Sequence, residues 1–305
     1  MSSKKLLGPL LVGIGASLWA TDALFRFPAA SRLDPAFIVF AEHLIALLIL
    51  TPWVLLRYRR GLFQMSISQW CCAIFAGAAG SALATLFFTA SFRYVNPSVA
   101  ILLQKLQPIL VITLASIFLG ERPRRGFFGW ALIAVAAGFV LSFPDLRFDF
   151  LSSAVPGGLD LRSKGVLHSL AAAGIWAVST IVSKVFIRAI EVDRAIFWRF
   201  AFGLLTLWLI LFLQTSPVRW SGLWDPVNRT GLAYMAIVPG VIAMLSYYSG
   251  MRRTSASVTT LVELIFPVSA VILNAVFLKL PLNSIQVIAG MVLLFSVTRI
   301  SLNEA

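Results

Sequence analysis

The chain has 305 residues, of which 59% are hydrophobic and 12% charged, and its mean hydropathy is +0.91. A water-soluble domain of this length has no place for so much apolar surface, so lipid is the fitting solvent. The formal net charge is +13, but the basic residues stand in short clusters between apolar runs, as in Lys4-Lys5, Arg57 to Arg60 and Arg252-Arg253. That is the pattern of membrane topology and excludes a nucleic-acid-binding face.

The N-terminal stretch couples Lys4-Lys5 to an apolar run, as a signal peptide does. No small-residue cleavage site follows, and Trp19 and Asp22 stand where cleavage would fall, so this is read as the first spanning helix. A spanning helix needs roughly 20 mostly apolar residues. Such runs are predicted at 8–28, 35–56, 68–92, 97–119, 125–143, 165–189, 194–214, 230–251, 255–278 and 283–301. They are long and apolar all round, which argues against strands and a membrane barrel. Residues 144–164, rich in Pro, Gly and Ser, read as a loop. Cys71 and Cys72 are adjacent and give neither a disulfide framework nor a metal pattern. The expected fold is an all-α integral membrane protein of about ten transmembrane helices. Its expected parts are a five-helix unit at 1–143, an external linker at 144–164 and a second five-helix unit at 165–305. Lys and Arg bias the loops toward an N-terminus in the cytoplasm, and an even number of spans returns the C-terminus there.

The two halves repeat. Trp19-Ala20 recurs as Trp176-Ala177, 157 positions on. Ser98-Val99, Pro108 and Phe118-Leu119 recur as Ser257-Val258, Pro267 and Phe277-Leu278, 159 positions on. Five is odd, so the second unit enters from the opposite side and the repeats are inverted. Transporters built this way place their substrate near the midplane, between the repeats.

With the Trp-Ala stretches of helices one and six, Arg199-Phe200 in helix seven, Asn96-Pro97-Ser98 before helix four, Pro108 within it and Leu119-Gly120-Glu121-Arg122 at its end, the chain resembles the drug/metabolite transporter superfamily in its bacterial EamA-type branch. The resemblance covers nearly the whole chain and implies a multi-pass transporter of the bacterial inner membrane. The family exports amino acids and other metabolites, and related branches carry nucleotide sugars and triose phosphates. Two positions depart from the family. Glu42 stands where a basic residue matching Arg199 is usual, and Leu280 stands where the counterpart of Glu121 is expected.

Ionisable residues inside a bilayer are expensive, about 2.5–3.5 kcal/mol at a helix centre, and so mark function. Asp22, Glu42, Lys105, Lys184, Arg199 and Glu263 fall inside the predicted spans. Asp22, Glu42 and Lys105 are expected about 9–12 Å from the outer helix ends, and the other three similarly far from the inner ends. This predicts an outer cluster of two acids and one base, and an inner cluster of two bases and one acid, flanking a cavity. Arg199 and Lys184 have a blander reading as interfacial side chains that snorkel. Gln104 and Glu263 each stand four residues before the matched prolines Pro108 and Pro267. Proline frees a carbonyl and kinks a helix, so helices four and nine are expected to line the path. Pro239-Gly240 is a further hinge candidate. Trp19, Trp176 and Tyr247 complete the expected substrate contacts. Glu42, His43 and Glu263 are the candidates for proton coupling, with structural packing as the alternative for His43.

The leading expectation is a secondary transporter that exports a small polar metabolite by alternating access. The mixed charge favours an amino acid or similar zwitterion. An organic-anion or phosphate-ester carrier is the alternative, using Lys105, Lys184 and Arg199. No P-loop, HExxH or nucleophile elbow is present, so the chain is read as no enzyme. An intramembrane acid/base site at Asp22, Glu42 and His43 is the distant alternative. No cofactor or metal is expected. The expected partners are a small-molecule substrate and membrane lipid, no nucleic acid, and a homo-oligomer is left open.

Overall fold

A computed structural model describes residues 3–119, 123–147, 151–152, 158–214, 220–254 and 256–304. Gly120, Glu121 and Arg122, from the family's helix-end motif, lie outside the described residues. Among the described residues, eight helices are long and apolar enough to cross a membrane: α1 (Leu6–Arg32), α2 (Pro35–Tyr58), α3 (Ile67–Ser91), α4 (Pro97–Leu114), α6 (Leu161–Ala189), α7 (Val192–Leu213), α8 (Pro226–Met251) and α10 (Ser284–Leu302). Two shorter apolar helices, α5 (Phe127–Ser142) and α9 (Leu261–Phe277), complete the set.

Local chemistry sets the starts. Asp34, Asn96 and Asp225 each precede a proline and accept a hydrogen bond from a first-turn backbone N–H, capping α2, α4 and α8. Aspartate or asparagine followed by proline is a strong start signal, because it satisfies an orphan donor and removes another. Asp160 caps α6 in the same way, so that helix begins at Leu161, four residues earlier than expected. The linker is not all loop. Leu151–Ser152 pairs antiparallel with Gly158–Leu159, a minimal ribbon within the linker where only loop was expected.

Four helices are broken, at corresponding places in the two halves. α3 carries a π-helical segment at Ala76–Leu83, and α8 carries one at Ala236–Ile242 around Pro239. α4 tightens to a 3₁₀ turn at Gln104–Leu106, just before Pro108. α9 is interrupted at Leu264, between the helical segments Ala256–Glu263 and Ile265–Phe277. Each proline removes one backbone donor, and the ladder loosens one turn before it.

The packing follows a two-fold pattern. α2 packs on α7 and α5 on α10, each helix on its own counterpart. α1 packs on α8 and α9, and in the mirrored arrangement α6 packs on α3 and α4. Close approach of α1 to α8 depends on glycine: a Cβ at Gly15 would stand 2.8 Å from the Ala243 carbonyl oxygen. Small residues at such crossings let backbones meet where lipid supplies no hydrophobic drive between helices.

Candidate functional site

The helix breaks surround one cavity of about 300 Å³, lined from both halves of the chain. Trp19, Asp22, Glu42, His43, Gln104, Lys105, Trp176, Pro239, Tyr247 and Glu263 all line it. Pro108 and Pro267 are not among the lining residues; they stand behind the wall and shape it through the breaks they cause. The side chain of Lys184 lies outside the described residues.

The charges pair differently from the expected clusters. Arg26, which is not among the intramembrane charges singled out from the sequence, is the base of the first group. Its Nη2 donates to Asp22 Oδ1 at 2.9 Å and to Glu42 Oε2 at 3.0 Å, and its Nη1 donates to Thr89 Oγ1 at 2.9 Å. Helix α1 runs on to Arg32, not to residue 28, so Arg26 lies more than a turn inside the span. Lys105 belongs to neither expected cluster. Its Nζ donates to Glu263 Oε1 at 2.7 Å and sits 5.2 Å from the centre of the Phe266 ring. Tyr247 Oη donates to Glu263 Oε2, also at 2.7 Å. Glu263 is thus bound to the other repeat, and Arg199 reaches Ser183 Oγ at 3.5 Å.

Aromatic rings supply much of the wall. Trp19 and Tyr247 lie 4.7 Å apart at 45°, and Trp176 lies 5.5 Å from Phe88. The two tryptophans make matching bonds. Trp19 Nε1 donates to the Pro239 carbonyl at 2.9 Å, and Trp176 Nε1 donates to the Gly80 carbonyl at 2.8 Å. Each carbonyl lies inside a π-helical segment of the opposite half. The wider turn leaves that carbonyl available, and an indole N–H from across the cavity satisfies it.

His43 is held on both sides. Its Nδ1–H donates to the Val39 carbonyl at 2.7 Å, its Nε2 meets Ser81 Oγ at 2.8 Å, and Phe200 packs edge-on. Both nitrogens are engaged by protein, an arrangement suited to packing. Serine and threonine lining residues gave no signal in the sequence. Among them Gln107 Nε2 bonds Thr180 Oγ1 at 3.0 Å, joining α4 to α6. The relation that would have found Ser179 and Ser183 is the repeat offset, since they occupy the positions matching Asp22 and Arg26. No group of His, Cys, Asp and Glu suited to a metal occurs among the described residues.

Comparison with known proteins agrees with this architecture. The EamA-like transporter family matches the chain twice, over residues 6–143 and 163–302. A riboflavin transporter of Fusobacterium nucleatum is 28% identical over 304 residues, covering 96% of this chain and 97% of its own. An uncharacterized transporter of Archaeoglobus fulgidus is 26% identical over 257 residues, or 84% of each chain. A crystal structure at 22% identity superposes with a TM-score of 0.60 over 95% of this chain and 94% of its own, which shows a shared fold.

Proposed function

The chain belongs to the EamA-like transporter family and is a multi-pass membrane transporter rather than an enzyme, and from that premise we propose that it carries a small polar metabolite with a flat ring through the central cavity by alternating access. The observation that carries this reading is the cavity wall. Rings from both halves, Trp19 and Tyr247 on one side and Trp176 and Phe88 on the other, face a small set of charged side chains, most of them paired. Stacking surfaces with a few placed polar groups select planar polar ligands. A flavin is the first candidate, because the Fusobacterium relative is named for riboflavin. An amino-acid zwitterion is the second reading, favoured by the coexistence of Arg199 and Glu263 in one cavity.

Repeats 1–143 and 165–305, joined by the external linker 144–164, rock about the cavity. The broken helices are the places that flex. Pro108, Pro239 and Pro267 serve as hinges, because a helix already missing a backbone bond bends there at least cost. Of Glu42, His43 and Glu263, we assign coupling to Glu263. It bonds to the opposite repeat through Lys105, and a proton or substrate that breaks this bond frees the repeats to move. We place the protein in the bacterial inner membrane with both termini in the cytoplasm, on the bias of Lys and Arg in its loops.

Proteoliposomes of the purified protein provide the test. Riboflavin and tryptophan are offered outside, and in a second preparation inside, with and without a pH gradient. Saturable flux of either compound, blocked by excess unlabelled compound, supports the carrier, and the direction of faster flux tests export. Unsaturable leakage would indicate an open pore and sink alternating access.

A further inference from the structure

We propose that Ser179, Ser183 and Arg199 form a subsite for an anionic oxygen group of the transported molecule, a carboxylate or a phosphate. This rests on the cavity being the transport path, and it adds which repeat holds the negative end of the substrate.

The repeat offset carries the argument. Moving 157 positions on from Asp22, Arg26 and Glu42 leads to Ser179, Ser183 and Arg199. The two trios hold equivalent places, on α1 and α2 in one half and on α6 and α7 in the other. Even the central contact is preserved: Arg26 Nη2 meets Glu42 Oε2 at 3.0 Å, and Arg199 Nη1 meets Ser183 Oγ at 3.5 Å. The first trio sets one cation between two anions, and its charges satisfy each other. The second replaces both α1-type charges with hydroxyls and moves the cation onto α7.

Among the described residues, no carboxylate lies within ion-pairing distance of Arg199. Arg199 is 7% exposed and Ser179 2% exposed, yet Arg199 Nε and Ser179 Oγ have no hydrogen-bond partner. All three residues of the trio line the cavity. A buried guanidinium without a counter-anion is costly, and a ligand that brings the missing anion recovers that cost on binding. The donor set also fits. A guanidinium offers a planar fork of N–H groups to two oxygens of one acid group, and two hydroxyls add donors beside it. The remaining wall is backbone. A Cβ added at Gly80 would lie 2.6 Å from Ser179 Cβ and 3.2 Å from Arg199 Nη1, so α3 closes the subsite tightly. The Gly80 carbonyl, an acceptor that would repel an anion, is already taken by Trp176 Nε1.

The test uses the full-length protein in detergent with two matched probe pairs, tryptophan with tryptamine and riboflavin 5′-phosphate with riboflavin. Each pair differs by one anionic group, and the two pairs separate carboxylate from phosphate. In the unmodified protein the anionic member of at least one pair is expected to bind about tenfold more tightly or better, the scale of a charge-assisted contact. Arg199→Gln should erase that ratio, and Ser179→Ala should reduce it. Pairs that bind with equal affinity, or a ratio that survives Arg199→Gln, overturn the subsite and leave the carrier reading standing. If no probe binds, the flat-ring reading fails, and acetate and inorganic phosphate decide the subsite by thermal shift at fixed ionic strength. A shift lost in Arg199→Gln upholds it, and no shift overturns it. Should Arg199→Gln fail to fold, the double variant Ser179→Ala with Ser183→Ala reports on the same ratio.

Discussion

Asp22, Arg26 and Glu42 bind one another within the first repeat, whereas Lys105 and Glu263 join one repeat to the other. The first group is sealed: the three side chains are 12%, 6% and 8% exposed, and Thr89 occupies a further guanidinium N–H. The second is half open, with Lys105 at 12% and Glu263 at 30%. Charges sealed inside one rigid unit hold it together and move with it. A pair that spans two moving units and meets the cavity is one a substrate can compete with. On the proposed reading, position relative to the repeat boundary, more than depth in the membrane, separates the structural charges from the working ones.

The sharpest way to break this comparison is Arg26→Met. It leaves two buried carboxylates facing each other, and loss of one partner from a buried ion group costs about 3–5 kcal/mol. A large fall in melting temperature in detergent is expected. A variant that melts with the parent would show that the sealed group is not structural. Glu263→Gln should behave in the opposite way. Transport in proteoliposomes is expected to fall about tenfold or more, the scale of a charge-assisted hydrogen bond. Its melting temperature should barely move, since a partly exposed pair is worth only about 0–1 kcal/mol. Marked unfolding with unimpaired flux would reverse the assignment. Tyr247→Phe refines the picture by removing only the hydroxyl on Glu263 Oε2. A loss of about 1 kcal/mol should appear as a several-fold rise in KM at unchanged expression, and an unchanged KM would place Tyr247 outside the working pair. The smallest effect belongs to Trp176→Phe, which keeps the ring and deletes the bond to the Gly80 carbonyl. Such bonds between membrane helices average about 0.6 kcal/mol. A shift of that size in unfolding free energy is expected, and a loss several times larger would mean that the indole bond is a principal tie between the repeats.

Much of this was legible before the fold. Gln104 and Glu263 announced themselves by standing one turn before matched prolines, and the helices break there. Asp22 and Glu42 stood out as acids in apolar runs. Arg26 drew no notice although it falls inside the expected span 8–28, because a base two residues from an expected helix end is ordinarily interfacial, and α1 in fact runs on to Arg32. The Lys105–Glu263 bond was misassigned because residue depth can be counted along a helix, while the direction a side chain faces depends on how that helix is rotated against its neighbours.

The sequence by itself determined the solvent, the helix count, the helix breaks near Pro108, Pro239 and Pro267 and the doubling of the unit. Each of these follows from local composition, from proline's missing donor or from the recurrence of residues at a fixed offset. Only the tertiary structure decided the pairing of charges, the two indole bonds to π-helical carbonyls and the isolation of Arg199. Those depend on the rotation and approach of different helices, 158 positions apart for Lys105 and Glu263 and 220 for Trp19 and Pro239, and that is set by packing across the whole bundle rather than by any local run of residues.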